Sequence, residues 1–128
     1  MDKVLEKWHS IVQSKAIDQL DGLLADEATL HSPIVHRPIE GKLMVGFYLK
    51  AAFFTLVNES FHYEREWHDS HSAVLEFVTV IDGITVNGVD MITWNNEGKI
   101  TDFKVMARPL KGINLLHERM AKMLENLK

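Results

Sequence analysis

The run Gly88-Val89-Asp90-Met91-Ile92-Thr93-Trp94 places one carboxylate in an otherwise apolar stretch, ahead of the turn-forming Asn95-Asn96-Glu97-Gly98 and the returning Lys99-Ile100. Successive side chains of a strand alternate between faces, so Asp90 shares its side with Ile92 and Trp94, while Met91 and Thr93 point the other way. If that side is the inner one, the acid is desolvated. Desolvation disfavours the charged form and raises a carboxyl pKa, as is needed of an acid that donates a proton or a hydrogen bond near neutrality. A buried Asp serves equally well as a structural acceptor for an Arg, Tyr, Trp or His, because structural networks perturb pKa values too.

Other residues bear on the same chemistry. An imidazole suits the role of a base near neutrality, which makes His31 a candidate, although alternation puts Leu30 and Ser32 on one face and His31 on the other unless the strand bulges before Pro33. Glu76 is the only charge in the run Ala73 to Ile81. It requires a partner such as Arg65, Lys104, Arg108 or a histidine, either as a structural salt bridge or as a second catalytic carboxylate. The seven histidines do not fall at metal-ligand spacings: His31 and His36 flank a Pro-containing turn, His68 and His71 flank Asp69-Ser70, and neither pair has a helical i, i+4 placement. No metal is expected. The aromatics Trp8, Phe47, Phe53, Phe54, Trp67, Trp94 and Phe103 are candidates to line a cavity, with plain core packing as the alternative. The chain has no G-x-G-x-x-G, Walker loop or G-x-S-x-G elbow, so no nucleotide cofactor and no serine nucleophile is expected.

Composition sets the scale for these side chains. With 128 residues, 46% apolar and 25% charged, the chain reads as one globular domain spanning residues 1–128. Fourteen basic against eighteen acidic residues, net −4 and without a basic run, argue against nucleic acid as a partner. The absence of cysteine excludes disulfides and thiolate chemistry and fits a reducing compartment. Met1 to Trp8 alternates charged and apolar residues without the apolar core of a signal peptide, and no window reaches a membrane-spanning length. A cytoplasmic protein, with no membrane partner, is expected.

The elements that must position the candidates follow from periodicity. Val4, Leu5, Trp8, Ile11 and Val12 make one helical stripe, and Ile17, Leu20, Leu23 and Leu24 make a second after a cap at Ser14. Ala28 to Ser32 is a short strand stopped by Pro33, and Lys42 to Val57 is a helix apolar around most of its circumference, hence central. Next, Phe61, Tyr63, Arg65 and Trp67 share one strand face, and Ala73 to Ile81 is apolar on both faces apart from Glu76 and Thr79. After an Asp82-Gly83 turn come strands over Thr85 to Trp94 and Lys99 to Ala107, completing an antiparallel meander. Ile113, Leu116, Met120, Met123, Leu124 and Leu127 mark a last amphipathic helix that should dock on the body of the domain or across a dimer partner. The sum is an α+β domain: a cone-shaped, strongly curved antiparallel sheet wrapped around N-terminal helices, closed by a C-terminal helix.

From about Val4 to Leu127 the chain resembles the nuclear transport factor 2-like superfamily, and within it the SnoaL-like small proteins. The resemblance rests on Leu24-Ala25-Asp26-Glu27-Ala28-Thr29-Leu30-His31-Ser32-Pro33, Glu40-Gly41, Gly88-Val89-Asp90, Gly98-Lys99-Ile100 and Arg108-Pro109-Leu110. It implies the cone fold without implying a reaction, since this superfold hosts isomerases, cyclases, epoxide hydrolases, dehydratases and carriers. Similarity to ketosteroid isomerase implies that Asp90 matches a protonated oxyanion-hole acid, and that Ser32 and Trp8 stand where the isomerases have an Asp base and a Tyr. Neither replaces its counterpart: a hydroxyl of high pKa does not abstract a proton unaided, and an indole donates one hydrogen bond without ionising.

Two functions are compatible with these residues. One is a cofactor-independent isomerase, cyclase or lyase that binds an apolar, carbonyl-containing small molecule, with Asp90 as acid or hydrogen-bond donor and His31 as base. Trp8, Ser32, Phe47, Phe54, Trp67, Glu76, Ile92, Trp94, Phe103 and Val105 would then line the ligand site. The other is a non-catalytic ligand-binding or interaction module of the same fold. A cavity of several hundred Å³ with Asp90 at its inner end would favour the first. Leu75, Phe77 and Ile81 facing opposite to Val74, Glu76 and Val78 further suggest a homodimer formed through the outer sheet face, the pairing that the resemblance also implies.

Overall fold

Helix α1 (Lys3–Ser14) begins where the Asp2 carboxylate accepts the N–H of Val4 at 2.8 Å, and ends at Lys15, whose left-handed backbone (φ 60°) turns its N–H onto the Ile11 carbonyl. The stripe Val4, Leu5, Trp8, Ile11 and Val12 is the buried face of this helix. These coordinates, a computed structural model, describe residues 2–126.

The second helix expected over Ile17 to Leu24 does not form. Leu24 already pairs with Ile100 in the sheet, and the short interval after Lys15 is filled by two 3-10 turns, Ile17–Gln19 and Asp21–Leu23. An interval this brief closes i→i+3 bonds more readily than a full α-helical ladder.

Six strands, β1 (Leu24–His31), β2 (Ile39–Glu40), β3 (His62–His68), β4 (Ser72–Ile81), β5 (Ile84–Trp94) and β6 (Ile100–Arg108), lie in the order β2-β1-β6-β5-β4-β3. The meander β3 to β6 is antiparallel as alternation implies. β1, however, runs parallel to β6, so the sheet is mixed rather than antiparallel throughout. A parallel pair requires a long crossover, and here α2 (Lys42–Leu56) with four further strands, β2 to β5, supplies it. The β4–β5 hairpin closes at Ile81 and Ile84 through Asp82 and Gly83, whose φ values of 51° and 77° suit the right-handed twist of the strands.

Helices α1, α2 and α3 (Leu110–Asn126) cover the concave face. α2 buries Val45, Leu49, Ala51 and Phe53, yet its apolar run is not covered all round: Leu43 is 84% exposed and Phe54 49%. α3 buries Leu116 and Met120 and half-buries Met123 and Leu124, while Leu127 lies outside the described residues. No helix among the described residues is long and apolar enough to cross a membrane.

Candidate functional site

Asp90 lies on the concave side of β5, in one row with buried Ile92 and Trp94. Its cross-strand neighbours are Leu75 on β4 and Val105 on β6, so apolar side chains flank the carboxyl on both sides. Gly88, two residues earlier in the row, is required: a Cβ there would lie 2.5 Å from the Phe77 ring and 2.6 Å from the Met106 carbonyl oxygen. The Phe77 ring occupies the space that this glycine leaves.

That ring helps to place the residue that completes the site. Phe61 stacks on Phe77 at 5.5 Å, and Tyr63 meets Phe61 edge-on at 5.2 Å. Held in this cluster, the Tyr63 hydroxyl donates to Asp90 Oδ2 at 2.6 Å and accepts the Trp8 indole N–H at 2.9 Å. Trp8 in turn packs on Phe103 at 5.1 Å. A chain of hydrogen bonds thus runs from α1 through β3 to β5, while Asp90 Oδ1 makes no hydrogen bond among the described residues and faces the cavity. Burial pushes the Asp90 carboxyl up to about 7, against the opposing pull of the Tyr63 hydrogen bond. Burial and the neighbouring Asp90 charge raise the Tyr63 phenol well above its ordinary range, so it stays a neutral donor.

A β-bulge explains why Tyr63 faces inward while its expected companions do not. Tyr63 pairs with Phe77, but the register slips before Arg65, which pairs with Glu76, and Trp67 pairs with Val74. The extra residue reverses the alternation from there on. Phe61 and Tyr63 therefore stay on the concave face, whereas Arg65 and Trp67 turn outward, Trp67 being 54% exposed. Glu66, swung inward, meets His9 of α1 at 2.6 Å.

The cavity beneath Asp90 measures about 70 Å³, far less than the several hundred Å³ anticipated for a ligand chamber, because Phe53, Phe61, Leu116 and Met120 fill much of the cone. Of the residues proposed from sequence, Asp90, Trp8, Ser32, Phe53, Phe103 and Val105 stand on its wall. The others do not. His31 is on the opposite face of β1 from Leu30 and Ser32 and bonds Asp102 at 3.0 Å, since the strand keeps its alternation up to Pro33. Phe47 and Phe54 project from the less covered side of α2 and Trp67 from the outer sheet face, while Ile92 and Trp94 are packed in the core beyond the cavity. Glu76 is on the outer face in a salt bridge with Arg65 and accepts from Asn87 at 3.0 Å, contacts that hold its carboxyl below the usual range. Among the described residues no cluster of His, Asp and Glu is arranged to hold a metal.

The sequence calls for an Arg, Tyr, Trp or His as the partner of Asp90 without singling out Tyr63. The usable signal was Tyr63 beside Phe61, a hydroxyl in an aromatic pair at the start of a strand. The bulge that keeps it apart from Arg65 has no local mark in the chain.

No family model matches the chain, and no curated protein matches it. Solved structures do. A steroid delta-isomerase from Pseudomonas aeruginosa is 32% identical with a TM-score of 0.91, over 97% of this chain and 90% of that one. A protein of cystatin-like fold from Silicibacter pomeroyi is 26% identical with a TM-score of 0.87, over 95% and 85% of the two chains. A nuclear transport factor 2-like protein of unknown function from Mesorhizobium loti shares the fold at 15% identity, with a TM-score of 0.72 over 84% and 89%. The chain belongs to the nuclear transport factor 2-like superfamily, in its SnoaL-like branch.

Proposed function

We propose that this is a small-molecule pocket protein of isomerase type, in which neutral Asp90 donates a hydrogen bond through Oδ1 to a carbonyl or enol oxygen of a largely apolar ligand. The observation that carries this reading is the bond from Tyr63 to Asp90 Oδ2, which leaves the second oxygen turned into an apolar cavity while burial brings the carboxyl to about 7. Near neutrality such a group holds its proton for donation and also releases it at little cost. Tyr63 steadies the carboxyl from behind, and Trp8 fixes the direction of the Tyr63 hydroxyl. The steroid delta-isomerase likeness supports the same class of chemistry.

Ser32 lies on the same wall at the start of the Pro33 turn, and its hydroxyl accepts from the Ile34 N–H at 3.3 Å. With no second carboxylate or imidazole on the cavity wall among the described residues, polarisation of a ligand oxygen is favoured over a proton relay between two acids. The small cavity favours a second reading, a binding module without turnover, and that module would be a homodimer through the outer sheet face. A carboxyl titration of Asp90 by NMR decides between a desolvated acid and an ordinary one: a midpoint near 7 is expected, whereas one near the unperturbed value of about 3.9 would overturn the proposal.

A further inference from the structure

Tyr63 lies on β3, the last strand of the sheet, so a neighbouring strand supports it on one side only. Two consecutive residues of α1 reach it from outside the sheet. Trp8 holds the hydroxyl through its indole N–H at 2.9 Å, and His9 meets the ring edge-on, with ring centroids 5.4 Å apart and planes at 82°. His9 is itself anchored. Its Nε2 bonds Glu66 Oε1 at 2.6 Å, and both side chains are mostly shielded from water. Glu66 comes within reach because the bulge between Tyr63 and Arg65 turns it to the concave side, so one irregularity of β3 aims Tyr63 and secures the neighbour of its ring. Neither His9 nor Glu66 lines the Asp90 cavity, and neither bonds Asp90.

We propose that His9, anchored by Glu66, is a positioning residue for the Asp90 site, its ring fixing the tilt of the Tyr63 ring and with it the aim of the Tyr63 hydroxyl at Asp90 Oδ2. The inference rests on the reading of Asp90 as a hydrogen-bond donor and adds what keeps its proton affinity in range. A hydroxyl at the far end of a tyrosine moves with any tilt of the ring, so a bond of 2.6 Å to Asp90 requires the ring to be held as well as the oxygen. Trp8 constrains the oxygen. His9 at 5.4 Å and Phe61 at 5.2 Å, both edge-on, constrain the ring. Charge acts in the same sense: burial and the Asp90 charge hold the Tyr63 phenol well above its ordinary range, and the Glu66 charge adds to them, which keeps the proton on the donor.

The test follows the Asp90 carboxyl by NMR titration in the full chain, together with the shift of the Trp8 indole N–H. His9→Ala removes the ring, and the Asp90 midpoint is expected to rise above the parent's value of about 7, toward that of Tyr63→Phe, as the opposing hydrogen bond weakens; the Trp8 signal should shift with it. His9→Phe keeps a ring against Tyr63 without any charge and should return the midpoint to the parent's value, whereas loss of a histidine charge alone would raise both variants equally. Glu66→Ala leaves the His9 ring without its anchor and should also raise the midpoint, by less than His9→Ala, although removal of a negative charge alone would lower it. Urea unfolding is measured alongside, because a merely structural His9 would lower stability and leave the Asp90 midpoint where it was. An unmoved midpoint in His9→Ala, equal rises in His9→Ala and His9→Phe, or a lowered midpoint in Glu66→Ala would overturn the assignment while leaving the Asp90 reading in place. A parent midpoint near the unperturbed value of about 3.9 would instead remove the Asp90 reading, and this inference with it.

Discussion

Tyr63 and Asp90 sit on strands that are not neighbours in the sheet, and the 2.6 Å bond between them spans the intervening β4. The bond opposes the effect of burial on the acid, so the two residues set the proton affinity of the cavity together.

Tyr63→Phe is expected to move the Asp90 carboxyl further above about 7, because the lost hydrogen bond favours the charged form and burial would then act unopposed. The same change strands the Trp8 indole N–H and should cost about 1–3 kcal/mol of stability, measured by urea unfolding. A carbon-detected NMR titration reads the first effect, and an unshifted or lowered Asp90 midpoint would refute it.

The raised carboxyl also has a stability signature. Asp90 binds its proton more tightly in the folded chain than in the unfolded one, so its contribution is fully present below the unfolded value of about 3.9 and is lost as pH rises through about 7. Asp90→Asn removes this dependence. The variant should therefore gain on the parent in urea midpoint between about pH 4 and about pH 7, and a constant difference across that window would count against a desolvated acid.

Gly88→Ala tests how the row beneath the site is packed. The added methyl meets the Phe77 ring and, at 2.6 Å, a backbone oxygen that has no rotamer to escape into. A loss of about 1–3 kcal/mol is expected, together with changed shifts for Phe61, which stacks on Phe77, and for Tyr63, which meets Phe61 edge-on. Unaltered stability would mean that β5 and β6 part more easily than their register implies.

The outer sheet face carries Trp67 and Met106, each 54% exposed, and Val80 at 41%, around the Arg65–Glu76 pair. An apolar face of this kind is expected to close on a second copy, giving a dimer by light scattering at micromolar concentration. Met106→Glu should shift the population to monomer without lowering the stability of the monomer itself. A parent protein that is monomeric under those conditions would contradict the expectation.

The local elements were legible because their causes are local. Asp2 and the spaced Val4, Leu5, Trp8, Ile11 and Val12 suffice for α1, Asp82-Gly83 suffices for a hairpin, and a period of two suffices to put Asp90 beside Ile92 and Trp94 on the buried side. The motifs from Leu24 to Pro33 and from Gly88 to Ile100 carry the superfamily in the same way. The remainder depended on partners far along the chain. Whether β1 runs parallel to β6 is decided by the crossover through α2 and the meander, and the helix expected after Ser14 yields because Leu24 is claimed by Ile100. The bulge before Arg65 is a matter of pairing with β4, so nothing within β3 announces that Tyr63 turns toward Asp90 and Trp67 turns away. Cavity size is the least local property of all, since it is what remains after side chains from three helices and the sheet have packed together, and only the tertiary structure computes that difference.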